Sequence, residues 1–201
     1  MTSTPAAPPP QPGSARTLHL SDLLRRPLTD RGGESIGRLS DVIVRLRGAE
    51  YPLVSGLVAT VGGREVWVPI EQASSFDGEV LKLTSAKLDL RRFERRDGEV
   101  LLRADVLGHR LIDVERAHLI KAADLELEER GSDWVLSGVD THRRARRFLG
   151  LGGAAREPGE HPFREWGKFE PLIGHSGSAL LRGPFARIRR LKPAQIADLI
   201  E

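Results

Sequence analysis

An internal repeat constrains this chain more than any other feature. Sliding the sequence by 83 positions places Asp22 on Asp105, Leu24 on Leu107, Leu28 on Leu111, Asp30 on Asp113 and Asp41 on Asp124 without a gap. Apolar residues match between these identities: Leu23 with Val106, Ile36 with Leu119, Val42 with Leu125 and Val44 with Leu127. With one residue dropped, Ser55-Gly56 falls on Ser137-Gly138. Matched polar and apolar positions at one spacing mark a duplicated structural unit. They predict two copies of one β domain, at 17–94 and 95–149.

Within the first copy the pattern is strand-like. Residues 36–46 are rich in branched aliphatics, 53–61 are apolar, and Val66, Val68 and Ile70 alternate onto one face. Gly62-Gly63 separates two of these runs and can close a tight hairpin, because both residues adopt positive φ without steric cost. Asp77-Gly78 and Asp97-Gly98 repeat that punctuation before further short runs. The expected fold is mainly β, with two small antiparallel barrel-like domains. The second copy is shorter: where the first has its Val66, Val68, Ile70 strand, it has His142-Arg-Arg-Ala-Arg-Arg147, which predicts an altered or incomplete final sheet.

The flanks read differently. Residues 1–16 carry five prolines in the first twelve positions and lack apolar residues to bury, so a disordered tail is expected. Residues 150–186 are rich in glycine and proline and read as a linker, although Phe163, Trp166 and Phe169 give part of it apolar surface to pack. Pro193 opens a short amphipathic helix with Ile196, Leu199 and Ile200 on one face.

Composition removes several classes of function. With no cysteine in 201 residues, disulfide scaffolds, thiolate catalysis and iron–sulfur clusters are excluded. The longest apolar stretch is far short of the ~20 residues a membrane helix needs. Two short stretches imitate catalytic motifs without their context. Gly150, Gly152 and Ala155 fit a dinucleotide fingerprint but follow an arginine run rather than a buried strand, and Gly174–Ser178 lacks the last glycine of a nucleophile elbow. No catalytic residue is assigned, and the chain is read as non-enzymatic.

The carboxylates that recur in both copies, Asp22, Asp30, Asp41, Asp105, Asp113 and Asp124, are expected to cap turns and accept backbone hydrogen bonds rather than do chemistry. The run Asp124, Glu126, Glu128 alternates with leucines as a solvated strand face would, where a hard cation such as Mg2+ could be held weakly through water. Residues 131–201 hold 12 Lys/Arg against 8 Asp/Glu. Two basic knots carry that excess: Arg143, Arg144, Arg146 and Arg147, and then Arg187, Arg189, Arg190 and Lys192. Such clusters attract phosphates, but neither is interleaved with aromatic side chains for stacking on bases. Contact with an acidic protein surface is the preferred reading, with the helix face Ile196, Leu199, Ile200 part of the same interaction surface.

The segments LSDLL, SIGRLSDVIVRL (35–46) and VWVPI (66–70) resemble the PRC-barrel, and ADVLGHRLIDVERAHLIKAADLEL (104–127) resembles it more sharply. RIRRLKPAQIADLIE (187–201) resembles the entry to the N-terminal domain of MgtE-type magnesium transporters. Lys192 and Gln195 depart from that pattern's histidine and aspartate. The resemblance implies a cytoplasmic regulatory and protein-interaction module of a bacterial MgtE-like, Mg2+-responsive protein. Its partner would be another protein or downstream N and CBS domains of the same polypeptide, and self-association into a homodimer is a further arrangement. The alternative is an RNA- or ribosome-associated module of the maturation-factor type.

Overall fold

The computed structural model describes residues 16–48, 50–76, 78–84, 88–141 and 163–171. The expected N-terminal tail up to residue 15, both basic knots at 143–147 and 187–192, and the helix at 193–201 lie outside them, while Arg16, the last residue of that tail, is held against Glu129. The elements run β1 (Thr17–His19), α1 (Leu20–Leu23), β2 (Pro27–Thr29), β3 (Ser35–Arg47), β4 (Glu50–Val61), β5 (Arg64–Pro69), β6 (Ala73–Ser75) and β7 (Leu81–Leu83). They continue with β8 (Glu99–Leu101), β9 (Arg110–Asp113), β10 (His118–Lys121), β11 (Asp124–Arg130), β12 (Asp133–Asp140), β13 (Phe163–Glu165) and β14 (Phe169–Pro171). Short 3-10 turns follow β5 at Ile70–Gln72 and β13 at Trp166–Lys168, and a π turn at Leu102–Val106 follows β8. The fold is mainly β. Gly62 and Gly63, both at positive φ, close the β4–β5 hairpin as their sequence suggests.

The strand registers coincide under the same offset that aligns the sequence. β3 pairs with β4 through Val42↔Leu57, Ile43↔Gly56 and Val44↔Val54, skipping Ser55. β11 pairs with β12 through Leu125↔Val139, Glu126↔Gly138 and Leu127↔Leu136, skipping Ser137. Each of these pairs maps onto its counterpart, and the bulge falls on the same serine. Likewise Leu28↔Gly37 in the β2–β3 pair maps onto Leu111↔Ile120 in the β9–β10 pair. Turn geometry follows: Arg25 N–H donates to the Leu39 carbonyl at 2.9 Å, and Gly108 N–H donates to Ala122 at 2.7 Å.

The copies exchange strands. β1 of the first copy pairs with β11 of the second, and β8 of the second pairs with β3 of the first. A single sheet therefore runs β1-β11-β12-β4-β3-β2-β7-β6, with β13, β5 and β8 attached to β12, β4 and β3. At its centre Leu53 pairs with Val135. That pair maps onto itself under the repeat, so a pseudo-two-fold axis passes through it, as at an isologous dimer contact. β10, β9 and β14 form a second, three-stranded sheet. Among the described residues all pairings are antiparallel except β2 with β7.

Exchange is locked by the recurrent carboxylates. Asp41 Oδ1 accepts the Arg103 N–H at 2.7 Å and Oδ2 accepts the Ala104 N–H at 3.0 Å. Reciprocally, Asp124 Oδ1 accepts the Ser21 N–H at 3.1 Å and Oδ2 accepts the Ser21 hydroxyl at 2.5 Å. Ala104 is the repeat partner of Ser21. Each aspartate also takes the amide of the residue that follows it, Val42 or Leu125. Both carboxylates are buried, so these bonds satisfy acceptor oxygens that have left water, and on the donor side the Val42 and Leu125 amides are buried as well.

One core spans both copies, from Leu20, Leu23, Leu28, Val42 and Val44 to Leu111, Leu125, Leu127 and Leu136. Ile43, Val58 and Leu101 form a second cluster on the opposite face, joined by Trp67 and Phe93, which buries the middle of β3 and β4 on both sides. The stretch 150–186, read as a linker, departs from that reading at 163–171. β13 pairs with β12, β14 pairs with β9, and Trp166 and Phe169 enter the core. β13 and its 3-10 turn occupy the place that β5 and its turn hold in the first copy, while β14 pairs directly with β9 where β2, the counterpart of β9, pairs with β7. The altered final sheet is completed from beyond 150, because two large aromatics and a hairpin edge on β12 reward the longer connection.

Candidate ligand-binding groove

An open groove of about 630 Å³ lies over the first copy. β4 contributes Leu53, Val54 and Ser55 to it, β5 contributes Trp67, and the following turn contributes Ile70 and Glu71. Ala73, Phe76 and Trp134 complete its apolar wall, with the Phe76 and Trp134 rings edge to face at 5.3 Å. Arg45, Arg96 and Glu99 form one rim. The guanidinium of Arg96 sits 4.0 Å above the Trp67 ring, and the Glu99 carboxylate, only 2% exposed, lies 3.8 Å from Arg96 and 3.9 Å from Arg45. Two guanidinium groups thus share one carboxylate at this end. Opposite, Arg16 forms a bidentate pair with Glu129.

Two polar atoms at the groove floor, Ser55 Oγ and Trp67 Nε1, are buried without a hydrogen-bond partner. Their cost of about 1–3 kcal/mol each is the ordinary cost of an unmet buried group. The indole crosses so closely over Gly56 that a Cβ there would lie 2.5 Å from Nε1, which explains why glycine follows the bulged serine.

The pseudo-two-fold axis supplies a second cleft for comparison. It is lined by Tyr51, Pro52, Glu165, Trp166, Gly167 and Phe169, and measures only about 70 Å³. Trp166 stands where the groove has Ile70, and Phe169 follows it by three residues and lines the small cleft as Ala73 follows Ile70 and lines the groove. The second bulge serine is satisfied: Ser137 Oγ donates toward Glu126, 3.1 Å from its carboxylate and 3.2 Å from its carbonyl. Ile43, the counterpart of Glu126, offers Ser55 nothing. Phe163 replaces Trp67, so no indole N–H is buried there. A latch also closes the small cleft, with the Tyr51 hydroxyl donating to Glu165 at 2.5 Å and Arg130 stacked 3.9 Å over the Tyr51 ring. The hydrogen bond to Glu165 pushes the Tyr51 phenol above its ordinary pKa. In the groove the equivalent positions are Asp133 and Pro69, which cannot make that bond.

The carboxylates suggested for Mg2+ do not share an open face. Asp124 and Glu126 are buried, Asp124 is engaged by Ser21, Glu126 by Ser137, and Glu128 takes the Arg130 guanidinium at 2.7 Å. Continuous burial of β11 from Asp124 to Leu127 corrects the solvated-face reading, because β1 covers one edge and β12 the other. Among the described residues no group of three His, Asp or Glu is placed to hold a metal ion.

The remaining repeat carboxylates are local. Asp22 is exposed beside His19. Asp105 takes the Leu101 amide at 2.8 Å and Arg95 at 2.9 Å. Asp30 accepts the Glu34 amide, and Asp113 accepts the Arg116 amide together with the Arg164 guanidinium. Burial pushes the Asp113 carboxyl up, but Arg164 and the Arg116 amide outweigh it and hold it below the usual carboxylate range. Burial dominates at Asp41, raising its pKa to about 6 against three amide donors.

A basic stretch went unread in the sequence. Residues 91–96, Arg-Arg-Phe-Glu-Arg-Arg, flank a hollow of about 590 Å³ beside Trp67. Arginines alternating with an aromatic was the available signal. Three of its four arginines are met locally, since Arg91 pairs with Asp89, Arg95 with Asp105 and Arg96 with Glu99.

No protein-family model matches the chain, and no curated protein matches it.

Proposed function

We propose that this chain is a non-enzymatic protein-docking module, a duplicated PRC-barrel-like unit serving an MgtE-like, Mg2+-responsive protein on the cytosolic side of a membrane assembly. The observation that carries the docking role is the asymmetry between the twin clefts: one is filled by the chain's own aromatics and latched, the other is open and rimmed by arginines. Strand exchange makes the scaffold rigid enough to hold such a surface in place. The assignment to a magnesium-responsive protein rests on the likeness of residues 187–201 to the MgtE N-terminal domain. A photo-crosslinking side chain at exposed Glu71, on the rim, tests the docking role. Capture of one protein partner that survives added salt supports it.

The alternative, RNA binding, is favoured by Arg91, Arg92, Phe93 and Trp67 around the second hollow. Recovery of nucleic acid, lost steeply as salt is raised, would replace the docking reading with that one.

A further inference from the structure

We infer that the open groove takes an extended peptide segment of the partner that presents an aromatic side chain and a backbone carbonyl. The inference rests on the docking reading above and names what enters the site. The filled cleft shows what the fold accepts at this position. There the ring of Phe169 and the indole of Trp166 occupy the space, Phe169 being 2% exposed, and the cleft shrinks to about 70 Å³. Ala73 and Ile70 leave that volume empty in the groove, where about 630 Å³ remains. An aromatic ring from outside supplies the missing group, and Phe76 and Trp134 offer it edge and face contacts.

The polar chemistry selects the rest of the ligand. Trp67 Nε1 can only donate, Ser55 Oγ can donate, and both are without partners at the floor. Arg45 and Arg96 add donors at the rim around a single carboxylate. An acceptor is therefore what this end lacks. A peptide carbonyl supplies one without placing a second full negative charge beside Glu99. Because the two floor atoms are buried, a modest shift of the Trp67 side chain accompanies binding.

The probe is N-acetyl-phenylalaninamide, which carries one ring and two carbonyls, with N-acetyl-alaninamide as its ringless control. Fifteen heavy atoms at ordinary ligand efficiency give a Kd on the order of 1 mM, within reach of NMR titration. The chain has three tryptophans, so three indole N–H signals report separately. Trp67 and Trp134 should shift with the phenylalanine probe, Trp166 in the filled cleft should not, and the alanine probe should move none. Ala73→Phe, copied from the filled cleft, should abolish the response; Ile70→Trp does the same by another route should the first variant fold poorly. Trp67→Phe, which keeps the ring and removes the donor, should weaken binding about fivefold.

Equal movement of Trp166, equal response to the alanine probe, or binding that survives in both plugged variants would overturn the inference. So would the absence of any shift at saturating probe. If Glu71 crosslinking still captures a protein while the titration is silent, docking stands and the aromatic-peptide assignment falls. If the titration succeeds and no protein is captured, the site stands and the docking role falls.

Discussion

Removing the Asp41 carboxylate should loosen one half of the strand exchange, and the size of the effect should depend on pH. Asp41 accepts the Arg103 and Val42 amides at 2.7 Å each and the Ala104 amide at 3.0 Å. In Asp41→Ala those amides are orphaned at a site that is 5% exposed. The Val42 donor is buried and costs about 1–3 kcal/mol when unmet, whereas Arg103 and Ala104 are exposed residues whose amides lose only the net value of a hydrogen bond, about 1 kcal/mol each, so the total is about 3–5 kcal/mol. Against this stands the burial of the charge. The folded pKa of about 6 lies above the ordinary 3.8. Ionisation is therefore harder in the folded state, and the difference corresponds to about 3 kcal/mol.

The sign follows from linkage. A carboxyl whose folded pKa is raised binds its proton more tightly folded than unfolded, so its stabilising contribution is complete below pH 4 and is lost as pH rises through 6. The destabilisation by Asp41→Ala should be about 3–5 kcal/mol at pH 4 and about 2–3 kcal/mol smaller at pH 7. Urea unfolding of both proteins at pH 4, 5, 6 and 7 measures the difference, and other titrating groups cancel in the subtraction. Asp41→Asn keeps one acceptor oxygen but does not titrate, so its stability should lack the same pH-dependent component. A destabilisation constant across this range, or one that grows toward pH 7, would refute the reasoning about burial at Asp41.

Other expectations follow from the comparison of the copies. Arg25 holds φ +71° where its counterpart is Gly108 at +78°, so Arg25→Gly should stabilise by up to about 1 kcal/mol and Gly108→Ala should cost about 1 kcal/mol, both read from thermal melts. Arg164→Met leaves the fully buried Asp113 carboxylate without its guanidinium and should cost about 3 kcal/mol at pH 7. Because the Asp113 pKa is held low, that loss should fade as pH drops below about 4, where the wild-type contribution itself disappears. Trp166→Ala should cost about 3–5 kcal/mol in urea unfolding, whereas the same change in a tethering linker would cost nothing.

What could be read from the sequence was the repeat and the strand content. Asp41 and Asp124 carried the signal because each accepts amides from the exchanged segment, and the Ser-Gly pairs because each sits at a bulge that recurs in both copies. Strand exchange was not legible: an offset of 83 aligns β1 with β8 but does not say whether β1 pairs with β3 or with β11. Alternation misled at β11, where β1 and β12 bury carboxylates that a lone strand would expose. The groove was hidden for a different reason. Its defining contrast, Ala73 against Phe169, lies across the unmatched stretch 141–162, so the repeat alignment ended before reaching it.

That contrast bears on how the two halves diverged. In a symmetric duplicate the positions of Ile70 and Trp166, and of Ala73 and Phe169, would hold matching residues, and both clefts would be open or both filled. Some differences near the axis add bulk to the groove, where Trp134 is the counterpart of Pro52 and Trp67 that of Phe163, yet the net result is one cleft filled and one open. The second cleft gains two aromatics, a satisfied serine and the Tyr51–Glu165 latch, while the first retains a partnerless serine and indole. Core packing alone gives no reason to keep Ser55 and Trp67 in place of alanine and phenylalanine, since removing both polar atoms would relieve buried unmet groups. Their presence beside an unfilled volume is what a binding requirement would leave behind. Ser55→Ala combined with Trp67→Phe should therefore raise stability by about 1–2 kcal/mol in urea unfolding while weakening the groove's ligand. A double variant that is less stable than the wild type would mean that these two atoms serve the fold itself.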